Sequence, residues 1–450
     1  MKAVTELFPF SQKINLKSLS NWGEQCRKAN WLFILFCVEI LFIPLQIGRH
    51  FWPSFSFILG ERIDYLSPTL FVNDIPILIA FIYFLIKRKI HLKITFLLVV
   101  AYLSLSAFFS QSPFNGWYGL LKFLEFSFFI FWVSGTNFKT KILPYLFIPG
   151  IFLESIISLM QYSLQRSVGG ILWFLGERTF NASTPGIANA SISGVLILRP
   201  YGTFPHPNVL AGFLVISMVY VGSLLFNLKE KYAKLFILSI LILGTVALLL
   251  TLSRIAIILW CLVVIATGIK QITKNKKNAM KIVIGIGAVI IVTIFLFPNI
   301  ADRFGKISFR DEAVVQRIAL MQNSFLMIEK SPLFGVGINN FLISLPEYES
   351  ALRSPLLLQP VHNMFLLVFS ETGLVGLTLF IWFLGLTFYR IYKALPSKNS
   401  AEKDFKLSTI ISFGLILTIG FFDHYFLTLQ QGQLLFAFII GMCWRKSMLQ

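Results

Sequence analysis

The chain has 450 residues, is 56% hydrophobic with a mean hydropathy of +0.77, and carries only 13% charged residues for a formal net charge of +19. A water-soluble domain of this size does not hide that much apolar surface, so composition excludes an ordinary soluble enzyme and points to an all-α integral membrane protein. The four cysteines form no disulfide framework, because Cys37, Cys261 and Cys443 fall in apolar runs and Cys26 in the polar N-terminus.

In chain order, residues 1–30 read as a polar cytoplasmic segment without a small-residue cleavage site, so the first apolar run is expected to stay in the membrane. Runs of suitable length then predict about twelve transmembrane helices. They fall at 31–47, 69–86, 92–110, 116–135, 143–163, 209–228, 235–252, 255–269, 282–298, 363–387, 407–427 and 432–444. Residues 235–269 are one apolar run broken only at Ser253-Arg254. As a single helix it would be about 52 Å long against a core of about 30 Å, so two short spans are expected to meet there in a tight turn. Lys122 and Glu125, on one helix face, are expected to pair. With Glu39, Asp74, Glu154 and Glu371 they are the main deep charges, and such carboxylates also suit the proton pathway of a transporter. No internal repeat is visible, which weighs against a transporter built from inverted halves.

A cytoplasmic N-terminus makes both termini cytoplasmic and gives 22 Lys and 4 Arg inside against 10 Arg and 2 Lys outside. The excess inside is a topology signature, so the net charge gives no reason to expect nucleic acid. The exchange of Lys for Arg outside is not explained by topology. Guanidinium is a planar fork that grips phosphate oxygens bidentately, and the outer face reads as built to hold phosphates. Interfacial arginines paired with lipid headgroups are the plainer alternative.

Two outer loops are long, 164–208 and 299–362. The first ends in R-P-Y-G-T-F-P-H-P-N, whose prolines and glycine place Arg199, His206 and Asn208 on stiff backbone; Asn208 also suits the N-cap of the next span. In the second, 311–329 reads as an amphipathic helix lying along the membrane surface, with Val314, Ile318, Met321, Phe325 and Ile328 at helical spacing. Arg303, Arg310 and Arg317 are seven apart, so Arg310 and Arg317 share a face where the helix is regular; snorkelling to headgroups is the alternative. Pro332 to Phe341, P-L-F-G-V-G-I-N-N-F, is a glycine turn suited to aiming backbone N–H groups at an anion, but lacks the context of a nucleotide fingerprint. Arg254, at the outer end of two short spans, is costly unless paired or hydrated and is a functional candidate.

The span at 363–387 opens with His362-Asn363 just after Pro360. On a regular helix Phe369, Gly373 and Gly376 share the His362 face, leaving a small-residue groove about 16–21 Å deeper with room for a neighbouring helix or a lipid chain. Glu371 points the opposite way. A hydrated helix cap is the other reading of His362-Asn363.

His362-Asn363, nine residues, Gly373, two residues and Gly376 fit the pattern H-[N/S/Q]-x9-G-x-x-G, and in this the chain resembles the O-antigen ligase family, which includes related O-antigen polymerases. The Arg199–Asn208 stretch and the Ser253-Arg254 turn resemble that superfamily's other landmarks. The likeness covers roughly 199–385; the N-terminal third is similar only as a run of membrane helices. The resemblance implies a GT-C-like helical fold and a metal-independent, inverting glycosyltransferase of the bacterial cytoplasmic membrane, with no cofactor. It implies a polyprenyl (undecaprenyl) diphosphate-linked glycan as donor, used on the outer face. The acceptor is lipid A–core for a ligase, another lipid-linked glycan for a polymerase, and a protein for related O-oligosaccharyltransferases. The chain accordingly divides into the segment 1–30, membrane helices and first long loop at 31–198, a catalytic region at 199–385, and C-terminal helices at 386–450.

Charge builds on the departing diphosphate and needs a metal or fixed cations. The outer carboxylates form no D-x-D pair, so Arg199, Arg254 and Arg317, with Arg310, are expected to clamp it. His362 is expected as general base or acceptor-orienting group, with a diphosphate ligand as the alternative. His206, Asn208, Asn363, Gly373 and Gly376 support the site. A lipid-linked oligosaccharide flippase, a polymerase of the shape, elongation and division class, and a noncatalytic scaffold are the competing readings.

Overall fold

The computed structural model describes residues 31–87, 93–136, 142–192, 195–272, much of 285–297, 312–348, 358–394 and 400–445. The 1–30 segment, Arg303, Arg310 and most of the lysine-rich connections lie outside the described residues. The first five helices are α1 (Trp31–Phe42), α2 (Asp74–Ile86), α3 (Ile94–Phe108), α4 (Pro113–Gly135) and α5 (Leu143–Leu164). Next come α6 (Pro207–Asn227), α7 (Lys231–Leu250), α8 (Arg254–Ile272), α9 (Glu312–Lys330) and α10 (Phe341–Tyr348). The last are α11 (Met364–Ala394), α12 (Ser400–Gly420), α13 (Tyr425–Thr428) and α14 (Gln430–Cys443). Five of them, α4, α5, α6, α7 and α11, are long and apolar enough to cross a membrane, while α1, α2, α3, α8 and α14 are shorter apolar helices.

Helix α6 is apolar all round and is therefore the one that packs all round. It sits against α5, α7, α8, α12 and α14 at the centre of the main hydrophobic core. Several charges inside this bundle find partners on neighbouring helices. Lys122 Nζ lies 2.8 Å from Glu125, as its spacing predicts, and also 3.3 Å from Asp74 and 3.1 Å from the Gln430 side-chain oxygen, so it joins α4, α2 and α14. Breaking such a buried group by removing one partner strands the others. Glu39 accepts from Asn73, and Glu154 accepts from the Thr203 backbone and hydroxyl. The deep carboxylates thus hold backbone and side chains in place.

Among the described residues, three antiparallel strand pairs lie in the connections after α1 and α5. β1 (Gly48–His50) pairs with β4 (Thr69–Phe71), β2 (Phe57–Ile58) with β3 (Glu61–Arg62), and β5 (Asn189–Ile192) with β6 (Val195–Leu198). The second expected span, 69–86, therefore begins as a strand: Phe71 N–H donates to Asp74 at 2.7 Å, and helix α2 starts only there. A second, smaller core joins Ile58, Ile63 and Leu66 of the α1–α2 connection to α9, α10 and the start of α11.

The expected 235–269 break is present: Thr251 to Ser253 separate α7 from α8, with Leu252 in the left-handed region at φ 54°. One other span differs from expectation. Helix α12 ends at Gly420, so 421–424 are not helical, although the apolar run 407–427 reads through them and its end falls on the short α13. The last expected span, 432–444, corresponds to α14.

The largest departure is in α11, which is broken at Gly373, with φ 61° and ψ −168°. Residues 374–394 rise about 31 Å, enough to cross a membrane alone, so Met364–Thr372 is a separate helical segment in front of the span. The His362 face consequently does not continue to Gly373 and Gly376. The groove expected there is filled by the Pro332–Gly337 turn. Val336 and Gly337 N–H donate to the Ser370 and Glu371 carbonyls, both at 2.9 Å, and Leu374 N–H donates to Pro332 O at 2.8 Å. These bonds replace the helical ones that the break removes. They also commit the turn's N–H groups to protein rather than to an anion. Gly373 is required twice, by its left-handed backbone and because a Cβ would lie 2.3 Å from the Leu333 carbonyl. A Cβ at Gly376 would lie 2.0 Å from the Thr372 hydroxyl.

Gly373→Ala should therefore lower the melting temperature of detergent-purified protein, by a loss of at least about 1–2 kcal/mol. Gly385→Ala in the same helix meets nothing within 4 Å and should leave it unchanged. Equal melting for both variants would show that the break is not enforced at Gly373.

Candidate functional site

The Arg199–Asn208 stretch is held by one face of α5. Gln161 accepts from Tyr201 and Gly202 N–H, both at 2.8 Å, and donates to Gly202 O at 2.9 Å; seven residues earlier Glu154 takes Thr203. This fixes a proline-rich segment that cannot satisfy its backbone by itself. The cap of α6 is His206, not Asn208: its Nδ1 accepts from Asn208 N–H at 3.1 Å, with Pro207 at the first helical position. The Asn208 side chain is thereby released for other bonds. Its oxygen accepts from Arg199 at 2.6 Å and its amide donates to Asp423 Oδ2 at 2.8 Å.

Arg199, 7% exposed, also donates through Nε to Thr251 O at 2.7 Å, in the turn just before Arg254. Those two donors tie the α7–α8 turn to α6. Arg254 itself heads α8, half-buried.

Asn363 does cap α11, its side-chain oxygen accepting from Phe365 and Leu366 N–H at 2.9 and 3.0 Å. Its amide donates to Phe421 O at 3.2 Å, which joins the mouth of α11 to the end of α12. Across that junction the His362 and His424 rings meet edge to face at 5.3 Å, and Tyr65 of the α1–α2 connection meets His424 at 5.7 Å. His424 Nδ1 lies 2.7 Å from the Thr428 hydroxyl, whereas His362 Nδ1 is buried with no hydrogen-bond partner among the described residues.

Helix α9 covers the expected 311–329, but the side that packs is Leu320, Asn323, Ser324 and Met327, with Ser324 Oγ 2.6 Å from Ser370 Oγ. Ile318, Met321 and Phe325 of the expected apolar stripe are turned outward. Arg317 is exposed on this helix and acts electrostatically on His206, His362, Asp423 and His424.

Four chain segments thus converge: Arg199–Asn208, Arg317, His362-Asn363, and Asp423-His424. Sequence reading missed the last. Asp423 sits inside an apolar run and was absorbed into a span; its adjacency to a histidine was the available signal. Burial opposes charge on Asp423, but the positive charge that His362 and His424 take up in acid, together with the Arg317 guanidinium, outweighs it and holds the carboxyl below its ordinary range. Burial, opposed by Asp423 and reinforced by His424 and Arg317, pushes His362 down to about 3. Burial and Arg199 bring His206 to about 3, and burial brings His424 to about 4. The cluster is one carboxylate among neutral imidazoles, with guanidinium charge at its edge. Among the described residues no group of His, Cys, Asp or Glu is arranged to hold a metal ion.

A family model described as O-antigen ligase matches residues 236–381. The match supports the O-antigen ligase and polymerase superfamily, and it spans α7 to the middle of α11, including Arg254, Arg317, His362 and Gly373. The Arg199–Asn208 stretch and Asp423-His424 lie outside it. A comparison with curated proteins returns no match.

The neutral histidines make stability acid-sensitive. The unfolded chain gains protons below about pH 6.5, whereas the folded cluster does so only near pH 3–4, so stability is complete above pH 6.5 and is lost as pH falls through that window. For His424, 3% exposed, the slope is up to about 1.4 kcal/mol per pH unit. Melting temperature should fall between about pH 7 and pH 5, and less steeply in His424→Gln. A flat profile in the native chain would contradict the neutral assignment.

Proposed function

We propose that this protein is a membrane glycosyltransferase of the O-antigen ligase or polymerase type, moving a glycan from a polyprenyl diphosphate donor to an acceptor hydroxyl. The family match gives the broad class, and the meeting of Arg317 and His362 around the buried Asp423, with Arg254 heading the tied-in α7–α8 turn, carries the reading to this site.

In the proposed step the acceptor oxygen bonds to the sugar's anomeric carbon and its proton passes to the His362 imidazole. The bond from that carbon to the diphosphate oxygen breaks, and the electron pair leaves with the diphosphate. Arg254 and Arg317, with Arg310, balance the charge that develops there. Arg199 and Asn208 hold these segments in register, and Asp423 orients the cluster. An imidazole held neutral is ready to accept a proton, and an arriving diphosphate would raise its basicity through its own negative charge. Asn363 keeps His362 at a helix mouth anchored to Phe421.

Purified protein incubated with a polyprenyl-diphosphate glycan and candidate acceptors should form product with or without EDTA. His362→Ala should lower the rate about 10²–10⁴-fold, and Arg254→Ala or Arg317→Ala about 10²–10³-fold each. Strict metal dependence would sink the arginine mechanism. Passage of donor across liposomes without any glycosidic bond forming would replace it with transport.

A further inference from the structure

One segment of the first long loop has no part in that chemistry yet is tightly built. Between α5 and β5 the chain makes a 3-10 turn, Gly170–Leu175, with Gly169 at φ 78° and Gly170 at φ 62° in the left-handed region. Its base is closed by Glu177, only 3% exposed. One carboxylate oxygen accepts from Val168 N–H at 2.7 Å and from the Gln161 amide at 2.8 Å, and the other accepts from Gly169 N–H at 2.6 Å. Gly176, at φ 100°, lies so close to the chain leaving α1 that a Cβ would fall 2.6 Å from the Gln46 carbonyl carbon. The root is therefore clamped to the ends of α1 and α5.

What this rigid root presents is apolar. Ile171, Trp173 and Phe174 are 78%, 61% and 69% exposed. Two exposed arginines flank them, Arg166 before the turn and Arg178 after it, the latter 3.3 Å from Asp64. An ordered loop that holds three large apolar side chains outward needs an apolar partner.

The identity of that partner follows from α5. Phe152, Ile156, Met160 and Leu164 are all exposed and four apart, so they form one stripe along a helix long and apolar enough to cross a membrane. Such a stripe faces lipid, and it runs to the last residue of α5. The loop begins a few residues beyond, where hydrocarbon gives way to headgroups. Aromatic side chains with flanking cations match the chemistry of that layer.

We propose that the Gly170–Leu175 loop is a membrane-interface wedge, with Ile171, Trp173 and Phe174 among the acyl chains at the end of α5 and Arg166 and Arg178 at the lipid phosphates. The wedge is coupled to the candidate site. Gln165, which ends α5 in the left-handed region, accepts from Leu198 N–H at 2.8 Å, one residue before Arg199. The depth of the wedge thereby fixes the depth of the Arg199 segment.

The test is depth-dependent fluorescence quenching of the full chain in phosphatidylcholine–phosphatidylglycerol vesicles. The Trp173 signal is taken as the difference between the native chain and W173F. That difference should be quenched by lipids brominated near the headgroup end of the chain, less by lipids brominated near the methyl end, and little by aqueous iodide. Quenching by iodide alone would put the loop in water and overturn the proposal. A difference signal shielded from every quencher would also overturn it, because a second copy or another protein would then cover the tip. Trp173→Leu supplies a second reading if W173F is poorly folded: its loss of signal should carry the same quenching order.

Discussion

A carboxylate buried among imidazoles is expensive unless every lone pair has a partner, and the arrangement around Asp423 follows from that cost. One oxygen takes the Asn208 amide and the other takes the backbone N–H of His424. Asn208 can serve Asp423 only because His206 has relieved it of capping α6. Its other end is occupied by Arg199, which reaches on to Thr251. A single chain of hydrogen bonds thus ties the first long loop, the α7–α8 turn, the head of α6 and the α12–α13 break.

Helix α11 solves a related problem by other means. A proline-free helix that must turn between a short leading segment and a membrane span loses backbone bonds at the bend. Here the Pro332–Gly337 turn supplies them, and Gly373 provides both the left-handed backbone and the space. The glycines of the H-N-x9-G-x-x-G pattern are accordingly structural. They set the angle at which His362 is presented, and they do not line a channel for a lipid tail.

Much of the architecture was legible in one dimension. Long apolar runs located most helices to within a few residues, the three-residue spacing of Lys122 and Glu125 announced their pairing, and Ser253-Arg254 marked a real turn. The second span and the run 407–427 were misjudged for one reason. Hydropathy averages over a window, and neither a short strand at Thr69–Phe71 nor a polar pair at Asp423-His424 changes the average enough to register. The apolar stripe on α9 was legible from its spacing, but the opposite side was not: Asn323 and Ser324 are buried against the protein, where Ser370 offers a partner, while Ile318, Met321 and Phe325 are exposed.

The sequence by itself determined the membrane class, the places of most of the described apolar helices and the residue types suited to phosphate and proton chemistry, because these depend on local composition and spacing. Only the tertiary structure decided which residues act together. Asn208 and Asp423 are 215 positions apart, and His362 and His424 meet only where Asn363 grips Phe421. Such partnerships arise from the need to satisfy buried polar groups in three dimensions, a condition that no local pattern along the chain records.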